Sequence, residues 1–273
     1  MRLIPKTRSM ALAGAVLLAA SAGALAQAPK ADYQPQVGQA GKDVVWVPTP
    51  QALVDKMLDM AKVTSKDYVV DLGSGDGRTV ITAAKRGAKA HGIEYNADMA
   101  ELAKRNAIKE GVTGKATFAN ADIFKSEFAD ATVVTLFLLP GLNLRLRPTL
   151  LAMKPGTRVV SNTFNMDDWQ PDETAQVTEG CNSFCRAYLW IIPAKVEGTW
   201  RFGQSELKLE QTYQMLKGTL TTGNVVAPVT GKLNGDAITF TAAGTEYTGS
   251  VQGGAMSGTS KGAAQAQWTA QRK

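Results

Sequence analysis

The sequence predicts an α/β protein: a largely parallel sheet with helices on both faces, followed by a small C-terminal antiparallel β domain, barrel or sandwich. Three observations predict it. Across residues 43–193, short apolar runs alternate with segments of helical period, the sequence form of repeated strand–helix–strand units. The apolar runs do not alternate with polar residues, as strands covered on both faces require. From Val196 onward the helical period stops, and short segments rich in Thr, Leu, Ile and aromatics follow, separated by Gly-containing turns.

Residues 1–26 carry Arg2, Lys6 and Arg8, no acid, an apolar run from Met10 to Ala26, and Ala24-Leu25-Ala26 before Gln27. That is the pattern of a cleaved secretory signal. The run is too short and too rich in Ala and Gly for a stable span, which takes about 20 strongly apolar residues. The expected location is therefore periplasmic. Residues 27–42 have no period and read as a flexible leader. Val44 to Val47 is apolar and stopped by Pro48-Thr49-Pro50, with Thr49 as the expected N-cap and Pro50 as the first helical residue. Leu53, Val54, Met57, Leu58 and Ala61 follow at helical spacing.

Strands are then expected at 68–72, 88–94, 116–119, 132–139, 158–162 and 187–192. The helices between them fall at 79–85, 97–110 and 143–153, the last two stopped by Gly111 and by Lys154-Pro155-Gly156. Pro193-Ala194-Lys195 reads as a linker. In the β domain, 196–273, a weak repeat relates Thr230–Gly235 to Thr248–Gly253, and Asn234-Gly235 signals a type I′ hairpin turn.

Charge excludes some partners. The formal charge is +6, and loss of residues 1–26 halves it. No Lys/Arg cluster with interleaved aromatics is present, so a nucleic-acid partner is not expected. Cys181 and Cys185 can form a local disulfide if Asn182-Ser183 turns, or stay as two packed thiols. Two thiols and one histidine, His91, make no structural zinc site.

The chemistry centres on Asp71-Leu72-Gly73-Ser74-Gly75-Asp76-Gly77, between an expected strand and an expected helix. Glycines there let the chain turn sharply and let a ligand approach. A dinucleotide fingerprint needs G-x-G-x-x-G, and Arg78 stands where its third glycine would fall. Asp71 places a carboxylate at the strand end, which repels a pyrophosphate and suits an ammonium. Glu94 ends the next strand and can accept both hydroxyls of a ribose, with Tyr95 along the ribose edge and Asn96 beside it. Asp122 follows the third strand and can accept from an adenine amino group while Ile123 packs on the ring. Three acids at the ends of successive strands, around one glycine loop, fit S-adenosylmethionine, which carries an ammonium, a sulfonium and no phosphate.

Residues 43–175 resemble the class I S-adenosylmethionine-dependent methyltransferases. More narrowly, they are similar to a bacterial group related to the mitochondrial lysine methyltransferases that modify the ATP-synthase c subunit. The likeness rests on Pro48-Thr49-Pro50, Asp71 to Arg78, Glu94-Tyr95-Asn96, Ala131 to Pro140, Leu144 to Pro148, Lys154 to Ser161, and Asp168-Trp169-Gln170-Pro171. It does not cover 196–273. The resemblance implies a Rossmann-like methyltransferase sheet, S-adenosylmethionine as methyl donor, and a protein lysine as acceptor, with a small molecule as the other choice. Phe137-Leu138-Leu139-Pro140 normally faces the transferred methyl in such proteins, so Phe137, Leu138 and Pro140 are acceptor-pocket candidates, joined by Asn162, Phe164 and Trp169. The Asn-Pro-Pro-Tyr signature of adenine methylation is absent. The alternative reading is an exported binding protein with an inactive methyltransferase fold, whose β domain binds a ligand or the cell envelope. The signal segment keeps it open, because an exported enzyme needs its methyl donor outside the cytoplasm.

Overall fold

The computed structural model describes residues 1–2, 33–262 and 265–273. Residues 3–26 of the expected signal and 27–32 of the expected leader lie outside these. The chain divides into two units, Met1–Asp32 and Tyr33–Lys273, and the second holds every element described below.

The parallel strands are Tyr68–Leu72 (β1), Lys89–Glu94 (β2), Ala116–Asn120 (β3), Val133–Leu136 (β4) and Arg158–Asn162 (β5). Glu173–Gln176 (β6) and Arg186–Ile191 (β7) add an antiparallel edge, giving the order β3-β2-β1-β4-β5-β7-β6. The chain steps outward from β1 to β3 and then returns to β4 on the other side of β1. Beyond the C-terminal ends of β1 and β4 is therefore the switch point where open α/β sheets bind ligands. The helices are Gln51–Met60 (α1), Arg78–Lys85 (α2), Ala97–Lys109 (α3) and Pro140–Leu151 (α4).

Successive strand residues serve opposite faces. Val69, Val133 and Val160 pack under Leu53, Val54, Met57 and Leu58 of α1, Val80 of α2, and Ala103 and Ala107 of α3. Their neighbours Val70, Val134 and Val159 pack against Leu146 and Leu150 of α4, with Phe128, Met166, Trp169 and Trp190. The strands have no polar face, which is why they read as continuous apolar runs.

Several local expectations are corrected. Pro50 itself is the N-cap of α1, and Thr49 makes no cap hydrogen bond; its hydroxyl accepts from Asn162 Nδ2 at 3.2 Å instead. The fourth strand stops at Leu136 rather than 139. Helix α4 begins at Pro140 rather than 143, with proline at its first position, where its missing N–H costs nothing. Strand β6 was not foreseen, because Glu173-Thr174-Ala175-Gln176 is an exposed edge with no apolar pattern. Residues 33–42 are not a free leader. Gly38 N donates to Trp46 O at 2.8 Å, Trp46 N to Gln39 O at 2.9 Å, and Gly41 N to Val44 O at 2.9 Å. They fold back on residues 43–46 as a hairpin-like strap.

The C-terminal strands are Gly198–Phe202 (β8), Ser205–Thr212 (β9), Met215–Thr222 (β10), Val225–Asn234 (β11), Ala237–Ala242 (β12), Thr245–Gln252 (β13), Ala255–Lys261 (β14) and Gln265–Arg272 (β15). They form a closed antiparallel barrel, with β15 returning to pair with β8. Leu207, Leu209, Leu216, Ile238, Phe240, Trp200 and Trp268 fill its interior, as expected of a small barrel. Glycine at a positive φ opens four of its hairpin turns: Gly203, Gly223, Gly235 and Gly253. The turn after β11 is Gly235-Asp236, because Asn234 pairs with Ala237. Only its first residue has positive φ, so it is not the type I′ turn that Asn-Gly suggests. The weak repeat has a physical basis at Gly231 and Gly249. A Cβ there would lie 2.5 Å from Thr239 O and 2.2 Å from Ser257 O, respectively.

The barrel docks on the sheet domain through Asp168-Trp169-Gln170. Trp169 Nε1 donates to Gln214 Oε1 at 2.9 Å, and Gln214 Nε2 donates to Gln170 O at 2.8 Å. The Trp169 ring stacks on Tyr213 at 5.7 Å, and the Tyr213 hydroxyl donates to Asp168 at 2.8 Å. This corrects the expectation for Trp169. It is fully buried at the barrel contact and does not line the acceptor pocket.

Removing the indole donor leaves Gln214 Oε1 buried and unpaired, at a typical cost of roughly 1–3 kcal/mol. Trp169→Phe should therefore lower unfolding stability by about that much in a urea titration, with S-adenosylhomocysteine affinity unchanged.

Candidate cofactor and active site

The C-terminal ends of β1, β2 and β4 open into a cavity of about 530 Å³, a usual size for a small-molecule site. Asp71 lies at its floor. The carboxylate is 7% exposed and accepts a 2.6 Å hydrogen bond from Thr135 Oγ1 on β4. Burial raises its pKa to about 7, against the pull of the Thr135 bond and with the help of the negative charges on Glu94 and Asp76. A hydrogen bond from Thr79 also favours the charged form without offsetting burial, and a cation beside the carboxylate would favour it further.

The glycine loop is cut to fit that floor. Gly73 N and Ser74 N both donate to Ile93 O, at 2.8 and 3.1 Å. Gly73, Gly75 and Gly77 all have positive φ, the region that glycine enters without strain. Gly77 faces away from the cavity: a Cβ there would lie 2.8 Å from the Phe118 ring and 2.9 Å from Ala103 Cβ. It is a packing glycine under α3, not a lining one, which corrects its assignment to the cofactor. Ser74 lines the cavity, yet its buried Oγ has no partner. Asp76 is held by Arg78, whose Nη2 lies 2.6 Å from Oδ2 and whose Nε donates to Oδ1 at 3.0 Å.

Glu94 is oriented by backbone. Gly75 N donates to its Oε2 at 2.8 Å and Asn96 N to its Oε1 at 2.9 Å, so the next loop and the glycine loop are tied through one side chain. Each oxygen keeps a lone pair for a ligand hydroxyl. Asn96 also caps α3 by accepting from Met99 N at 3.1 Å. Tyr95 is half exposed beside it. Asp122 accepts from Lys42 at 2.9 Å and from Phe124 N at 2.9 Å, and the Lys42 ammonium holds its carboxyl below the usual range. Ile123 lines the same wall.

The strap forms the roof and was missed. Trp46 Nε1 would sit 2.8 Å from a Cβ on Gly75, so the indole lies directly on the glycine loop. Lys42 reaches across to Asp122 and over the Tyr95 ring at 4.4 Å. Arg78 Nη1 donates to Thr49 O at 2.8 Å, fastening the end of the strap. No periodic pattern announces such a segment. The one usable signal was the apolar run Val44-Val45-Trp46-Val47 before two prolines.

At the other end, Phe137, Leu138, Leu139, Leu142, Phe164 and Phe184 line the cavity. Phe137 and Leu138, two of the acceptor-pocket candidates, are among these lining residues. Pro140 is exposed at the start of α4 and does not line the cavity. Asn162 is fully buried behind Thr49, to which it donates, and supports the wall rather than forming it. Phe184 was not foreseen. It projects from the loop closed by the Cys181–Cys185 disulfide, which forms here. His91 bonds Thr117 Oγ1 on the neighbouring strand at 2.8 Å and lies outside the cavity lining.

The residues fit S-adenosylmethionine. The floor carries a buried carboxylate and a loop that turns through positive φ at Gly73 and Gly75. The cations among the described lining residues, Lys42 and Arg78, are already paired with acids and do not await a phosphate. The comparisons agree. The ANTKMT methyltransferase domain family matches residues 71–173. A protein-lysine N-methyltransferase of Saccharolobus islandicus is 45% identical over 152 residues, covering 55% of this chain and 94% of the relative. The ATP synthase c-subunit lysine N-methyltransferase of Rattus norvegicus is 35% identical over 130 residues, 47% of this chain; that match spans 60% of the rat protein. A crystal structure described as an RNA methyltransferase from Salinibacter ruber, in complex with S-adenosyl-L-homocysteine, is 45% identical. It has a TM-score of 0.52 and covers 55% of this chain and 96% of that one. Nothing in these relatives supports an inactive binding protein or an envelope-docking role. This chain is therefore an S-adenosylmethionine-dependent methyltransferase, belonging to the family of the Saccharolobus protein-lysine N-methyltransferase.

Proposed function

We propose that the enzyme methylates the ε-amine of a lysine in a protein. One observation carries the choice of acceptor. The acceptor end of the cavity is built from Phe137, Leu138, Leu142, Phe164 and Phe184, and the two cations lining the cavity, Lys42 and Arg78, are paired with Asp122 and Asp76. An aliphatic stem ending in an amine suits that surface, whereas a phosphate backbone finds no charge there. The names of the Saccharolobus and rat relatives support this reading. A second reading, an RNA acceptor, has the description of the Salinibacter structure in its favour.

S-adenosylmethionine supplies an electrophilic methyl group on a sulfonium. The protein's part is to hold and align. Asp71 balances the ammonium, Ser74 and Asp76 complete the loop around it, Glu94 accepts the ribose hydroxyls with Tyr95 and Asn96 alongside, and Asp122 and Ile123 take the adenine. Trp46 and the strap keep the donor end dry, which strengthens every charge interaction inside. The acceptor end holds no acid, imidazole or amide among its described lining residues, so the lysine gives its proton to solvent before transfer. Alignment in a dry site then does the rest. We also infer export. The basic start, short apolar run and Ala-Leu-Ala before Gln27 support it, and the Cys181–Cys185 disulfide fits an oxidising compartment.

Three outcomes test these statements. Tritium from labelled S-adenosylmethionine, supplied with a protein and RNA extract of the source cells, should be recovered as methyl-lysine after acid hydrolysis. Label released by ribonuclease instead overturns the lysine assignment. N-terminal sequencing of protein recovered from those cells should begin at Gln27. The third concerns Asp71. Its folded pKa is raised, so between about pH 4 and 7 the native chain holds a proton that the unfolded chain has lost. Stability of the ligand-free enzyme should therefore fall as pH rises through that window, by an amount of order 4 kcal/mol, and Asp71→Asn should flatten the profile. A cationic ligand reverses the raised pKa, so calorimetry at pH 6 in buffers of different ionisation enthalpy should show proton release on S-adenosylmethionine binding. That release should vanish at pH 8.5.

A further inference from the structure

Three phenyl rings meet at the acceptor end of the cavity, and they come from three separate parts of the chain. Phe137 leaves the end of β4. Phe164 follows β5, and its carbonyl is fixed by Ser161 Oγ at 2.7 Å and Asn143 Nδ2 at 3.1 Å. Phe184 belongs to neither strand. It stands in the five-residue loop closed by the disulfide between Cys181 and Cys185. The loop's base is fastened to the sheet edge, where Val177 N donates to Cys185 O at 2.9 Å. Phe184 has φ +55, unusual for a bulky side chain and sustained only where the surroundings impose it. It is 39% exposed and lies inside the covalent ring that the disulfide closes.

The ring centroids form a small triangle: Phe137–Phe164 6.1 Å, Phe137–Phe184 5.3 Å and Phe164–Phe184 6.5 Å. Phe137 and Phe164 lie nearly parallel, and Phe184 is tilted against both. A cation centred over the triangle lies within ~6 Å of all three ring centroids, the range at which a ring face attracts positive charge. An aliphatic chain reaching it crosses apolar surface.

Resting on the lysine reading above, we propose that Phe184 is a specificity-determining residue for the acceptor. With Phe137 and Phe164 it makes an aromatic rim that receives the lysine ammonium and its methylated products, and the Cys181–Cys185 disulfide holds it in place. The methyl donor site does not involve this loop. Its residues come from the strand ends at Asp71, Glu94 and Asp122.

The test is a binding titration on the S-adenosylhomocysteine complex of the enzyme, which needs no turnover. The probes are N-acetyl-Nε-trimethyllysine amide and its uncharged isostere, with carbon in place of the ammonium nitrogen. The wild-type complex should bind the cation at least threefold more tightly than the isostere. Phe184→Ala should weaken cation binding fivefold or more and erase the preference, while Phe184→Tyr retains both. The double substitution Cys181→Ser with Cys185→Ser should weaken the cation to a similar degree, and reduction of the wild-type disulfide should do the same. S-adenosylhomocysteine affinity should stay within twofold throughout, which also shows that the variants fold. No preference for the cation in the wild type, or equal binding by Phe184→Ala, overturns the proposal. Failure of the lysine reading appears separately, as label in RNA in the transfer assay.

Discussion

The Asp71 carboxylate sits at the end of a parallel strand, almost out of water, with hydrogen bonds from Thr135 and Thr79 and two other carboxylates nearby. An isolated buried charge is costly, and like charges beside it add to the cost. Everything around the residue follows from accommodating it. The loop after β1 must turn at once without covering the carboxylate, so it uses glycine where the chain enters positive φ. The neighbouring strand must supply a hydroxyl at matching height, and the register pairs Asp71 with Thr135 across β1 and β4. Glu94 cannot also be left loose, and two backbone N–H groups fix it at a distance. The unliganded site thus holds a buried carboxylate that a cationic group of a ligand would pair with.

The same constraint explains the strap. A charge-bearing floor is useful only if water is kept away once the ligand is bound, and the sheet offers nothing on its open side. Residues 38–49 supply the cover with two fixed ends. Arg78 ties Thr49 to the glycine loop through Asp76, and Lys42 ties the far end to Asp122. Both fastenings pair a cation of the chain with an acid of the site. The cavity is left negative at the donor end and aromatic at the acceptor end, with its own lysine and arginine already engaged.

Much of this was legible in the sequence, for a definable reason. Strands buried on both faces leave apolar runs, and helices between them leave a 3.6 period. Asp71, Glu94 and Asp122 fall at strand ends, so finding the strands located the acids. The β domain was legible through its short segments rich in Thr, Leu, Ile and aromatics and its repeated turn glycines, although the turn at Gly235 was placed one residue early because Asn-Gly is a signal for a different turn. What escaped was everything decided by tertiary contact. Trp169 has the composition of a ligand-binding aromatic, but Gln214, far along the chain in the barrel, claims its donor. Gly77 belongs to the motif by spacing and to the α3 interface by contact. The strap lacks periodicity because its order comes from backbone bonds within it and from ion pairs with distant partners. Phe184 has no sequence signal at all beyond two cysteines flanking it.

The distribution of these legible and illegible parts follows the chemistry. Methyl donation uses one ligand, so its contacts can be written into strand ends and a glycine loop, which are local and rigid. Acceptor choice uses surface that must differ from one enzyme to another. Under the aromatic-rim proposal it falls here to the disulfide-closed loop on the antiparallel edge, outside the parallel core, while the strap before the first helix lies on the glycine loop and Asp122 at the donor end. The barrel fits the same division. Its interior is filled by its own side chains, and its hold on the sheet domain runs through Asp168, Trp169 and Gln170, immediately beyond the loop that carries Phe164. The barrel therefore rests on the segment that follows Phe164, while the described residues lining the cavity around Asp71 all belong to the sheet domain and its strap.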